Sequence, residues 1–254
     1  QFYLDLFSEQ VALANDAAAA QAQSYILVDF STKICLPDSV DTKKVAEVID
    51  HRFFNAPDVD FPNARIQLDP VGAAATQIAE FYHAAGIAPS PHSAAMLYGA
   101  IYSNTLCFDK EYAVERDLKA AEWLLEVEPS SNAYIEKQLQ VRKESIENHM
   151  PDILQDEMKI VQGRFGSYGF SQLELMGGKD FWSRNQNAIK NFASQLSMPF
   201  LLNIVDLKLH KSILFSNKDE FKSTLKHNYQ TTESEDALVL DKVQLRKTLT
   251  PLFK

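Results

Sequence analysis

Val45-Ala46-Glu47-Val48-Ile49-Asp50-His51-Arg52 decides how the chain is read. A mostly apolar, β-branched run stops in an acid, an imidazole and a guanidinium. Such a run fits a buried strand. In open α/β sheets, ligands bind just outside the carboxyl ends of the strands. The three side chains are a metal-ligand type, a metal ligand or general base, and a phosphate clamp. A strand end entering a solvated loop would carry the same residues without a site, and the rest of the chain has to separate the two readings.

Working back, Tyr25-Ile26-Leu27-Val28-Asp29 is a second short run, expected as a buried strand that also ends in an acid. In a parallel sheet Asp29 and Asp50 would lie at one edge. Working forward, a loop rich in Pro, Asp and Asn at 55–70 leads into Arg65-Ile66-Gln67-Leu68, a short strand. Val71 to Tyr82 reads as a helix whose start is built of small residues. That start suits either an anion, which backbone N–H groups and the helix dipole attract, or close packing against a sheet. Gly86 is expected to stop the helix. Ser93 to Ile101 reads as an apolar helix running into Tyr102-Ser103-Asn104-Thr105, and Arg116 to Val127 as an amphipathic one.

From 136 to 149 charges fall on most faces of a helix, which predicts a solvated connecting helix. Beyond it the expectations are a helix from Pro151 to about Val161, a strand over 164–175 and a helix over 180–196. Phe200–Asp206 and Ser212–Ser216 then read as a strand pair, 220–226 as a helix, 228–236 as a polar loop, and 239–253 as strand plus turn. Helix is also expected at 2–22. Gly177-Gly178-Lys179 lacks the spacing of a phosphate loop and reads as a turn, as does Lys208 to Lys211. Cys35, Cys107 and Trp123 read as core packers.

Composition narrows the function classes. The 254 residues suit one large domain or two ordinary ones, and 46% hydrophobic with 23% charged is an average globular balance. A net charge of −9 and a pI near 5.2 argue against nucleic acid or an anionic membrane as main partner. Two cysteines allow no disulfide framework and no thiolate metal site, so a cytoplasmic location is expected. No apolar run approaches the ~20 residues that span a bilayer.

Taken in chain order, the motifs resemble the DHH phosphoesterase superfamily, in particular its two-domain group of manganese-dependent family II inorganic pyrophosphatases and prune-type exopolyphosphatases. Val28-Asp29 resembles the aspartate motif that bridges two metal ions. Ile49-Asp50-His51-Arg52 resembles the Asp-His-His motif. Pro70-Val71-Gly72-Ala73-Ala74-Ala75-Thr76 resembles the Val-Gly-Ser/Cys-x-x-Thr helix start, and Tyr98 to Leu106 the Ser-Asp-Thr motif. In the second half, Asp156-Glu157-Met158-Lys159 resembles Asp-x-x-Lys, and Gly169 to Glu174 resembles Gly-Ile-x-Gln-Val-Glu. Gln244-Leu245-Arg246-Lys247 resembles the Ser-Arg-Lys-Lys phosphate motif.

The resemblance implies an α/β chain: a parallel sheet flanked by helices over 1–130, incomplete at its start, a connecting segment at 131–150, and a smaller mixed α/β domain over 151–254. It implies Mn²⁺ or Mg²⁺, two ions in the complete protein or one here, with Asp29, His51 and Asn104 as metal ligands. Asp50, Arg52 and Lys159 would act in catalysis, and Arg52, Lys159, Arg246 and Lys247 would bind phosphate in a cleft between the domains. The substrate would be pyrophosphate, short polyphosphate or a similar small phosphate compound. Neither nucleic acid nor membrane is an expected partner, and a homodimer is left open.

Three departures bear on activity. The His-x-x-x-Asp-x-Asp motif is missing, so it lies upstream of residue 1 or is absent from the protein. Asn104 stands where the pyrophosphatases carry aspartate. Arg52 replaces the second histidine, as in prune-type proteins, and a guanidinium cannot release a proton. The alternative is therefore a relative that binds phosphate-rich ligands or a partner protein without turnover.

Overall fold

The computed structural model describes residues 16–52 and 57–254. Most of the helix expected at 2–22 and the first part of the 55–70 loop lie outside them. The chain divides between Ile135 and Glu136 into two units, each with its own sheet.

In the first unit, helix α1 (Asp16–Gln21) precedes strand β1 (Tyr25–Val28), and β2 (Val45–Asp50) follows two short 3₁₀ turns. A one-turn helix α2 (Pro57–Asp60) precedes β3 (Arg65–Leu68). The strands form a parallel sheet in the order β1-β2-β3. Val28 is paired with Ile49 and Asp50 with Leu68, so the strands end together and Asp29 and Asp50 share the carboxyl edge. Val45, Val48 and Phe61 centre a small core. β1 differs from the expectation of a buried strand: Ile26 is 62% exposed and Val28 45%. Among the described residues β2 is its only partner in that sheet.

Helices α3 (Ala74–Ala84), α4 (Pro91–Asn104) and α5 (Glu115–Val127) complete this unit. The first begins three residues later than the small-residue run suggests, because Pro70 to Ala73 stay non-helical. Ser90 caps α4 by accepting from the Ser93 amide, with proline in its first turn. That helix extends past Ile101, where the apolar run ends, to Asn104. Gly86, at φ 66°, stops α3 as expected.

Helix α6 (Ser131–Asn148) contains the division. The solvated reading of this stretch needs correction. Ile135, Leu139 and Ile146 are buried at helical spacing, forming a narrow stripe that the surrounding charges hide in a residue count.

The second unit continues with α7 (Met150–Asp156), β4 (Lys159–Gly163), β5 (Gly166–Leu175), α8 (Gly178–Gln195), β6 (Phe200–Asp206) and β7 (Lys211–Ser216). Then come α9 (Asp219–Asn228), β8 (Thr231–Ser234), β9 (Ala237–Leu240), α10 (Arg246–Leu249) and a final 3₁₀ turn, Thr250–Phe253. The sheet order is β4-β5-β6-β7-β9-β8, with β5 and β6 parallel and the other pairs antiparallel. β6 is buried at every position, as a central strand covered on both faces should be. Its alternate residues supply two cores: Phe200, Leu202 and Ile204 pack with Trp182 and Phe192, and Leu201 packs with Tyr168, Phe221 and Phe253.

Three local readings change here. Lys159 opens a strand rather than ending a helix. Residues 231–234, expected as loop, form a polar edge strand whose residues are half-buried or exposed. After Leu240 the chain turns into short helix, not strand. Trp123 is only half-buried and meets His83 edge-on at 5.1 Å, and Cys107 is likewise only half-buried. The Cys35 side chain lies outside the description. Among the described residues no helix is long and apolar enough to cross a membrane.

Candidate functional site

The carboxyl edge of the parallel sheet gathers Asp29, Asp50, His51 and Arg52. One ligand atom from each of Asp29, Asp50 and His51 falls within 4.8 Å of the others. Asp50 is 1% exposed, and both of its carboxylate oxygens are engaged. Oδ2 accepts from the Ser31 hydroxyl at 2.6 Å; Oδ1 accepts from the His51 amide at 2.6 Å and from the Arg52 amide and Nε at 3.2 Å each. Burial alone would push this carboxyl up. The hydrogen bonds from Ser31, His51 and Arg52, with the Arg52 charge, outweigh it and hold Asp50 below its ordinary 3.8. Asp50 thus shapes the strand end and stays ionised.

His51 is oriented from the opposite side. Its Nδ1 lies 3.0 Å from the Val71 carbonyl, and a carbonyl can only accept, so Nδ1 carries the proton. In the neutral ring the lone pair would then be on Nε2, which lies 3.4 Å from Asp29 Oδ1. An imidazole tied back through one nitrogen is a well-presented metal ligand through the other. Asp29 adopts φ 60°, a left-handed conformation that aspartate tolerates better than most residues. Its amide donates to the Ile49 carbonyl at 2.8 Å. Its side chain is 51% exposed and is gripped by Arg52, whose Nη2 lies 2.7 Å from Oδ1 and 2.5 Å from the Asp29 carbonyl.

The small-residue helix start meets an anion, and it belongs to the protein. Asp117, fully buried, accepts from the Gly72 amide at 2.9 and 3.0 Å, from the Thr76 hydroxyl at 2.6 Å and from the Val114 amide at 2.8 Å. A Cβ on Gly72 would stand 2.5 Å from Thr105 Cγ2 and 2.8 Å from Asp117 Oδ2, so only glycine fits there. Packing, rather than an external ligand, accounts for the small residues. Asp206 plays the same part in the second unit, accepting from the Gly177, Lys179, Lys208 and Leu209 amides; Gly177 caps α8 and Gly178 and Lys179 open it, where a turn was expected.

Asn104 ends α4 exposed, with its amide nitrogen donating to the Ala100 carbonyl at 3.0 Å. Its amide oxygen accepts no hydrogen bond from Asp29, Asp50, His51 or Arg52. Structure brings Asp29, Asp50, His51 and Arg52 together; no bond ties Asn104 to them.

The second unit collects the other expected residues. Lys159, Arg246 and Lys247 line one groove with Ile160, Thr250 and Lys254. Among the described residues none of these four cations has an acidic partner within 4.0 Å. Arg246 is held rigidly: Nη1 donates to the Glu157 carbonyl at 2.9 Å and the Phe170 carbonyl at 3.1 Å, and its amide donates to Gln172 Oε1 at 2.6 Å. Gln172 Oε1 in turn accepts from Asn203 at 3.2 Å. Lys159 and Lys247 are exposed and have only their own chain to hold them.

Sequence reading missed Ser31, Asp117 and Lys254, and took Gln172 only as part of the Gly169 to Glu174 motif, without a role. Ser31 lies close in sequence to Asp29, which is the only signal it offered. Asp117 sits in the amphipathic helix where an acid is unremarkable.

No family model matches the chain. It is similar to the probable manganese-dependent inorganic pyrophosphatase of Bacillus licheniformis, 22% identical over 256 residues, covering 99% of this chain and 82% of that protein. A protein of the same description from an Exiguobacterium species is 29% identical over 128 residues, covering 50% of this chain and 41% of the relative. The fold matches a Methanococcus jannaschii crystal structure assigned to the family II inorganic pyrophosphatases. That match has a TM-score of 0.62 and 21% identity, over 99% of this chain and 86% of that one.

Proposed function

We propose that this divergent relative of the family II inorganic pyrophosphatases is a metal-dependent phosphohydrolase that cleaves a phosphoanhydride in pyrophosphate or a short polyphosphate. The observation that carries the reading is the Asp29–Asp50–His51 group, whose ligand atoms lie within 4.8 Å at a parallel sheet's carboxyl edge. The exposed Asp29 carboxylate and the His51 imidazole are donor types that suit Mn²⁺ or Mg²⁺, with the Asp50 carboxylate adding negative charge behind them, and the tied-back His51 ring fits such an ion. When bound, the ion would supply Lewis acidity toward phosphoryl oxygens and lower the pKa of water.

The chain's own residues divide the remaining work. Asp29 and His51 would hold the metal, with the Asn104 amide oxygen as a neutral donor. Asp50 keeps His51 and Arg52 in place through their amides. Arg246 presents its remaining guanidinium nitrogens from a rigid seat, and Lys159 and Lys247 add point charges for phosphate oxygens. Unpaired cations gathered in an acidic chain favour an anion between them. In hydrolysis a water oxygen would bond to phosphorus, the bridging P–O bond would break and the water's proton would pass to the leaving oxygen, giving two phosphates from pyrophosphate or phosphate and a shortened chain from polyphosphate.

The second reading is a binding protein without turnover. Arg52 favours it, because the guanidinium already occupies the face of both acids. Phosphate release from pyrophosphate and triphosphate with Mn²⁺, using the full-length protein and its Asp29→Asn variant, tests the choice. The enzyme reading expects release that the variant abolishes. No release from the parent with phosphate binding retained would establish the second.

A further inference from the structure

Arg52 lies against both acids of the group that could hold a divalent ion. Its Nη2 is 2.7 Å from Asp29 Oδ1, and its Nε is 3.2 Å from Asp50 Oδ1. One guanidinium therefore spans both acids of the carboxyl edge. It also donates to the Asp29 carbonyl, at 2.5 Å, which the left-handed Asp29 backbone turns toward it. His51 Nε2 approaches the same Asp29 oxygen at 3.4 Å from another side. Among the described residues Arg52 and His51 are the only cation-forming side chains paired with either acid.

Two carboxylates and one guanidinium leave a formal charge of −1 at this edge. An ion approaching Asp29 meets a cation already seated on its oxygen, and like charges a few ångströms apart repel. Arg52 cannot drift away, because its backbone amide is bound to Asp50 at 3.2 Å. It can only swing. Its side chain is 42% exposed, so a path into solvent, or onto an anion, is open.

We propose that Arg52 is a resident counter-cation of Asp29 and Asp50 that a divalent ion must displace, so that it sets metal affinity and couples it to anion binding. The inference rests on the metal-site reading above. Once displaced, the guanidinium offers its fork to phosphate oxygens from the metal's own rim. A phosphate that holds Arg52 off Asp29 thus favours the metal, and by linkage the metal favours phosphate by the same factor.

The test is Mn²⁺ binding, by calorimetry and by the electron paramagnetic resonance of free Mn²⁺, to the full chain and its Arg52→Gln, Arg52→Lys and Asp29→Asn variants. Each is measured with and without inorganic phosphate. Arg52→Gln is expected to bind Mn²⁺ about tenfold more tightly, the scale of one charge-assisted contact. Phosphate should tighten Mn²⁺ binding in the parent and not in this variant. Arg52→Lys keeps the charge and loses the fork, so it should also bind more tightly, by about threefold on the scale of an exposed ion pair.

Unchanged or weaker binding in Arg52→Gln overturns the proposal, and Mn²⁺ binding by the parent that Asp29→Asn abolishes leaves the metal site standing. Arg52→Lys equal to the parent reduces Arg52 to a distant charge and also overturns it. If Arg52→Gln does not fold, Arg52→Lys decides alone. Absence of Mn²⁺ binding in every protein overturns both the metal site and the displacement.

Discussion

The two charged regions of this protein are opposites. At the carboxyl edge of the first sheet every charge has been answered: Asp50 by Ser31, His51 and Arg52, and Asp29 by Arg52. In the groove of the second unit Lys159, Arg246, Lys247 and Lys254 have no acidic partner within 4.0 Å among the described residues. The first region includes a buried carboxylate, whose desolvation has to be offset within the fold or the strand end fails. The second is largely solvated, where unpaired cations cost little and remain available. One region is built to hold geometry, the other to receive charge.

Asp50→Ala attacks the first region at its centre. It leaves four donors, two of them on Arg52, without their acceptor, and should cost about 3–5 kcal/mol in urea unfolding. A loss below about 1 kcal/mol, the scale of a surface pair, would erase the contrast between the regions.

Arg246→Ala is the largest change the second region admits. Pyrophosphate binding should weaken about 30-fold, the scale of charged hydrogen bonds. Calorimetry that finds less than a twofold change would make the groove an ordinary surface. Part of the effect will be structural, since the Glu157 and Phe170 carbonyls lose their donor; chemical denaturation of the variant separates that part.

Ser31→Ala should cost about 1 kcal/mol and tie Asp50 to pH. Asp50 lies below its ordinary 3.8 in the folded protein, so the stability it contributes is complete above that value and is lost as pH falls through the folded-state value. Removing the Ser31 hydrogen bond raises the folded-state value. Acid unfolding should therefore begin at higher pH than in the parent, as followed by circular dichroism. An unchanged onset would mean that Ser31 contributes nothing to the Asp50 charge.

Lys254→Ala should do least. The residue is exposed at the chain's last position, and a loss of no more than about twofold in phosphate binding is expected, vanishing as salt rises. A larger or salt-independent effect would show that the second region is organised as tightly as the first.

Strand ends were the most legible part of the fold. Val45 to Asp50 and Tyr25 to Val28 advertise themselves by β-branching and by the acid that follows, and parallel pairing then puts both acids at one edge. β1 read as buried because an apolar, β-branched run does not show which of its side chains are covered, and Ile26 and Val28 are exposed. Residues 231–234 read as loop for the converse reason: Thr-Thr-Glu-Ser pairs with β9 through its backbone, and an edge strand needs little apolar surface. In α6 the apolar stripe is three residues wide among many charges, and only packing shows which side matters.

By itself, the sequence determined that Asp29, Asp50, His51 and Arg52 arrive at strand ends, and that basic residues cluster near the C-terminus. Local periodicity and residue chemistry suffice for that. Tertiary structure alone decided how the charges pair. Arg52 reaches back 23 residues to Asp29, and Asp117 reaches 45 residues to the helix start at Gly72. Arg246 is seated 76 residues away on the Phe170 carbonyl. A charge's partner is set by distance and dielectric in the folded chain, and neither quantity exists until the chain has folded.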